Sequence, residues 1–340
     1  MKALGALCLA AVLTLGCGGG ATPPPPKSAT SEAPPLHDGP LSDYVPSAGL
    51  RWMVLGRPKE IASDPAMARA IDLFLPKERL DAFSKSSGVD LRTLDAGLVA
   101  GFDHATLYVA DSRSRSTLAE ERFAERLLAG VRVARPHPRI HRLSGVVGQT
   151  PETMVRVDER LVAVSVGSAL PARIVELYAR KKLTKSPSAL RGSALSSLPI
   201  KDLESAPLRV YAPGPFSGEW TRGARGLLVA ATAVAIAVRP TADGRLSAVV
   251  VISGSFGSAE VDPTTQVGLA WEDLSRSGLG KLLGLDQAAP PTVVATPDSV
   301  RLSVEVSALP LAQGLRAAVM AEVWEILDLK PPSEKSTDLP

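Results

Sequence analysis

The residues able to do chemistry are few in this chain, and they are spaced badly for it. Four histidines occur among 340 residues. His137 and His141 stand four apart, a spacing that would put two ligands on one helix face. Pro136 and Pro138 flank His137, however, and forbid a regular helix there. The segment therefore predicts a kinked surface stretch and no metal site. Asp103 and His104 are two parts of a triad for which the sequence places no serine alongside. There is no Gly-x-Ser-x-Gly elbow, and no serine stands three residues before a lysine. Gly278-Leu279-Gly280-Lys281 lacks both the spacing and the following Ser or Thr of a phosphate loop. No catalytic residue and no cofactor are expected, and the chain reads as a non-enzyme.

Two segments rise above this background. Arg132, Arg135, Arg139 and Arg142, with both nearby histidines, could meet lipid or lipopolysaccharide phosphates. The simpler expectation is a solvated loop. Tyr211, Phe216 and Trp220 fall in a ten-residue stretch among Pro and Gly. An aromatic-bearing loop on a scaffold is a candidate ligand- or partner-binding surface. Packing of that loop onto its own lobe is the competing expectation.

Residues 1–17 decide where the protein works. Lys2 precedes an apolar run over 3–15, the pattern of a secretory signal peptide. The run is too short for a bilayer core, which takes ~20 apolar residues. Leu13-Thr14-Leu15-Gly16-Cys17 resembles the lipobox of bacterial lipoproteins, with Thr14 departing from the usual aliphatic residue. The resemblance implies cleavage before Cys17 and acylation of its thiol, an anchor of several chains. With Gly18 rather than Asp after the cysteine, it also implies the outer membrane, on the periplasmic or cell-surface side. Gly18-Gly19-Gly20, Pro23-Pro24-Pro25-Pro26 and Pro34-Pro35 then read as a tether for a domain standing off the membrane.

Cys8 leaves with the signal peptide and Cys17 carries lipid, so no disulfide, thiolate metal site or cysteine nucleophile remains. The formal charge of +3 falls to about +2 without residues 1–16, which hold one lysine and no acid. A near-neutral chain argues against a nucleic-acid partner.

Hydrophobic period places the elements. Strands are expected at 51–55 and 105–110, and a hairpin at 153–157 and 161–166. Further hairpins are expected at 232–238 with 246–252, and at 292–295 with 300–306. Helices are expected after Asp64-Pro65, over 76–84 with Leu80 and Phe83 buried, and from the capping box Thr117-Leu118-Ala119-Glu120. Others are expected over 171–182, with a Glu176–Arg180 pair outward, over 266–283 and over 310–329. The last carries the stripe Leu311, Leu315, Val319, Val323 and Leu327, expected to pack on the strand at 300–306. Residues 227–238 are apolar but too few to span a membrane.

These elements divide the chain into a signal peptide (1–16), lipidated cysteine and tether (17–48), first lobe (49–190), connector (191–207), second lobe (208–330) and disordered tail (331–340). The expected fold is α+β: two lobes of antiparallel sheet with helices on one face, ferredoxin-like in plan. Ser168-Ala169-Leu170-Pro171 and Ser307-Ala308-Leu309-Pro310 point to a divergent duplication. A chance tetrapeptide is the alternative, because alignment sets Val162, Val164 and Val166 opposite Arg301, Ser303 and Glu305. The leading functional expectation is a lipid-anchored, non-enzymatic binding or assembly component with an envelope protein partner. The runner-up is a periplasmic carrier of an apolar or lipid ligand, marked by a dry apolar pocket above roughly 300 Å³.

Overall fold

The computed structural model describes residues 34–112, 116–192, 194–218, 221–222, 224–257 and 262–320, without the side chains of 318–320. Cys17, Trp220, Val323 and Leu327 lie outside the described residues. The chain opens with β1 (Leu50–Gly56), α1 (Pro58–Ser63), α2 (Ala68–Phe74) and α3 (Lys77–Ser87). Strands β2 (Gly97–Phe102) and β3 (Ala105–Asp111) follow, then α4 (Ser116–Arg126). Next come β4 (Ala129–His137), β5 (Ile140–Val147), β6 (Thr150–Val157), β7 (Leu161–Val166) and α5 (Leu170–Ala179). A short α6 (Ile200–Leu203) leads to β8 (Leu208–Pro213), β9 (Ala231–Pro240) and β10 (Arg245–Gly254). Then come α7 (Pro263–Arg276), α8 (Gly278–Leu282), β11 (Thr292–Thr296), β12 (Ser299–Ser307) and α9 (Ala308–Met320).

The fold is mixed α and β around one large antiparallel sheet, in the order β11-β12-β10-β9-β8-β1-β2-β3-β7-β6-β5-β4. Residues 50–166 supply seven contiguous strands and residues 208–307 the other five. They meet where Val54 pairs with Val210, so the two expected lobes share one sheet. Each half begins as a meander of three sequential strands and then brings its last strand back beside the third, adding four strands (β7-β6-β5-β4) in the first half and two (β12-β11) in the second. A ferredoxin-like unit would instead interleave its strands.

Helices cover both faces, not one. Ala172, Val175 and Ala179 of α5 pack with Leu98, Leu107 and Ala163. Ala119 and Phe123 of α4 pack with Met154 and Val162 on the opposite face. Val267 of α7 joins Ile252 and Val300. On the α4 face a single apolar row crosses all twelve strands. It runs Val293, Leu302, Val250, Ile236, Val210, Val54, Val99, Tyr108, Val164, Met154, Leu143, Val133. Directly opposed residues share a face.

The alternation of strands explains the tetrapeptide mismatch. Alignment sets Leu161 and Ala163, in the cluster under α5, opposite Val300 and Leu302, in the cluster under α7. The two helices accordingly leave for different neighbours. Helix α9 buries Ala308 and Ala312 against Met67 and Ala70 of α2, and Leu315 is exposed. Its expected leucine stripe is therefore not the seam. Small residues suit it better, as a Cβ at Gly314 would come within 2.1 Å of the Leu282 carbonyl oxygen.

Residues expected to bridge the lobes are core. Leu195, Leu198 and Leu203 are buried with Tyr211 and Ala233. Among the described residues no helix is long and apolar enough to cross a membrane.

Candidate functional site: an apolar cavity under α3 and α4

On the α4 face, the row beside the twelve-strand stripe runs Leu208, Gly56, Gly97, Ala110, Val162, Arg156 and His141. Three consecutive positions in it have almost no side chain. A Cβ at Gly56 would touch nothing within 4 Å, and one at Gly97 only Pro58, at 3.9 Å. Glycine inside a strand weakens it and marks a place where something else must approach. Here the missing side chains leave a cavity of about 560 Å³. Its floor is Val54, Val99, Gly97, Ala110 and Val164.

The roof comes from α3, the loop after it, and α4. Phe83 and Ser87 descend from α3, Val89, Leu91 and Leu94 from the loop, and Ala119 and Phe123 from α4. Gly88 lets the roof close. It ends α3 at φ +73°, and a Cβ there would lie 2.8 Å from the backbone of Leu118 and Ala119. Only glycine accepts both the left-handed turn and that approach. Phe83, expected in the core, is exposed, as are Tyr108 and Arg126, and these three mark the opening.

Polar groups gather at the margins. Arg126 places its guanidinium 5.6 Å from the centre of the Phe123 ring and pairs with Glu152 at 3.0 Å. Past Val162 the glycine row ends in charge. Arg156 donates to one oxygen of Glu120, and His141 Nδ1 lies 3.0 Å from the other. Burial pushes the Glu120 carboxyl up, but hydrogen bonds from Arg156 and His141 outweigh it and hold it below its ordinary value. Glu120 thus serves the sheet rather than a capping box.

The residues singled out by sequence are dispersed. Tyr211 is buried in β8, so it cannot present a recognition surface, and Phe216 packs on the cluster of Leu227 and Ile252. The arginine segment is the β4–β5 hairpin. Arg139 is paired with Asp158 and Arg142 with Glu176, leaving Arg132 and Arg135 for solvent. Asp103 pairs with Arg51, outside any triad. Among the described residues no cluster of His, Cys and carboxylates could hold a metal. The cavity-forming glycines carry little signal in the sequence, because the strand at 97–102 has no polar alternation. Gly56 and Gly97 inside apolar runs were the available signal.

No protein-family model matches the chain, and no curated protein matches it. Two solved structures resemble it. Crystal form III of TP0453 has a TM-score of 0.49 and 12% identity, covering 83% of this chain and 99% of its own. Crystal form IV has a TM-score of 0.47 and 11% identity, covering 82% and 96%.

Proposed function

We propose that the chain is a lipid-anchored protein of the outer membrane that carries a slender apolar ligand in the cavity under α3 and α4. The single observation behind this reading is the cavity itself. Its volume of about 560 Å³ falls within the usual ~300–1,000 Å³ of small-molecule sites. Its lining is apolar apart from a few groups at the margin, the composition that holds a ligand by burial rather than by chemistry. An acyl chain gains about 0.8 kcal/mol for each methylene buried. Binding rather than turnover is the proposed activity, and the carrier moves ahead of the assembly component that led from sequence. The three-strand meander that opens both halves, with the last strand of each returning beside the third, supports a divergent duplication in which the first half carries two more strands.

The test is to fill the space. At Gly97 a side chain meets neither backbone nor strained φ, so Gly97→Leu should occupy the cavity and leave the fold intact. The full-length wild type should bind a fluorescent fatty-acid probe saturably, and the variant should lose at least about tenfold in affinity at an unchanged melting temperature. Equal binding by both would sink the carrier reading. The assembly reading keeps one specific support, the exposed Leu269, Leu274, Leu279 and Leu282 along α7 and α8.

A further inference from the structure

We infer that the ligand has an anionic head group, a carboxylate or phosphate, and that Arg126 at the cavity mouth is its subsite. This rests on the carrier reading and specifies the ligand class. Among the residues lining the cavity, Arg126 and Glu152 are the charged ones. They sit together at the margin, so a chain buried along Val54, Val99 and Val164 can bring a charged end only to them. Their exposures differ: the Arg126 side chain is 43% accessible, and Glu152, projecting from β6, is 12% accessible. The group facing an incoming head is therefore the cation.

Arg126 is also held ready. Its guanidinium lies by the Phe123 ring, and one of its nitrogens donates to Glu152 at 3.0 Å. A guanidinium has five donors in a planar fork suited to carboxylate and phosphate, so the contact with Glu152 leaves several free. Glu152 neutralises the cation in the empty protein. A bound anion must then compete with Glu152 for the same fork, which fixes the sign of each substitution.

The experiment uses the full-length protein and three probes with one tail: dodecanoate, dodecyl phosphate and dodecanol. The anionic probes should bind wild type at least about tenfold more tightly than the alcohol, as expected of a charge-assisted hydrogen bond. Whichever anion binds more tightly identifies the head group as carboxylate or phosphate. Arg126→Gln should reduce both anions to the level of dodecanol, and Arg126→Lys should keep part of the preference. Glu152→Gln should strengthen both anions and leave dodecanol unchanged. Equal binding of all three probes, unaffected by Arg126→Gln, would overturn the subsite and leave the carrier standing. Binding of none would overturn both. Melting temperatures measured alongside separate a lost contact from a lost fold.

Discussion

Glu120 shows how much at the scale of single residues depends on partners far away in sequence. Thr117-x-x-Glu120 reads locally as a capping box, yet the carboxylate bonds Arg156 of β6 and His141 of β5 instead. Glu176 was legible as the partner of Arg180, which it meets at 3.1 Å, but not as buried. Burial follows from Arg142 arriving from β5. The network has a pH signature with a definite sign. Because the folded Glu120 titrates below its ordinary 4.5, its contribution is complete above that value and is lost as pH falls through the folded value. Glu120→Gln should therefore lower the melting temperature at pH 6. The gap to wild type should narrow from pH 6 toward pH 3, as falling pH begins to protonate the wild-type carboxyl as well. Parallel melts at the two pH values check this, and a gap that stays constant or widens in acid would remove Glu120 from the charge network.

Elements were legible where a polar beat or a strong turn marks them and hidden where neither does. Strand β12 alternates, whereas β9 and β10 are apolar on both faces, Ala235 and Val251 lying in one cluster and Val234 and Ile252 in the other. These hairpins were readable from their turns, Ala242-Asp243-Gly244 and Pro297-Asp298. Strand β2 is covered on both faces, so its run Gly97-Leu98-Val99-Ala100 has no polar beat to mark it. The β4–β5 hairpin was hidden by Pro136 and Pro138, which break a helix but are tolerated where they fall, on an edge strand and in its turn. The candidate site inherits this blindness, since Gly97 and Val99 of its floor lie in β2. The stretch 191–207 between the halves is rich in Ser and Pro, yet its Leu195, Leu198 and Leu203 are buried. Leu195 is fully buried beside β8 and β9, so Leu195→Ala should cost about 2–5 kcal/mol, the range for a core leucine. Denaturant unfolding of the full-length protein checks it. A change below about 0.5 kcal/mol, typical of a surface position, would return the stretch to the status of a linker.

At the scale of the whole molecule, the consequence of one shared sheet is mechanical continuity between halves that the sequence divided. Every neighbouring pair of strands from β11 to β4 is hydrogen-bonded, so the described residues have no bare edge inside the sheet at which two lobes could part. Such a body has two places to meet a membrane: its surface and whatever tethers it. Its surface offers the exposed leucines of α7 and α8 and scattered apolar residues elsewhere, and no described helix is long and apolar enough to cross a bilayer. Single exposed apolar residues are ordinary on folded proteins. Stable attachment should then rest on the acyl chains expected at Cys17, because stable anchoring takes more than one lipid chain or signal. Cys17→Ala should move the protein from the membrane pellet into the soluble fraction, where it should still bind the fatty-acid probe with wild-type affinity. The two readouts separate anchor from carrier. A variant that still sediments after a high-salt wash would show that the folded body holds the membrane by itself. The exposed leucines of α7 and α8 would then be the first residues to change.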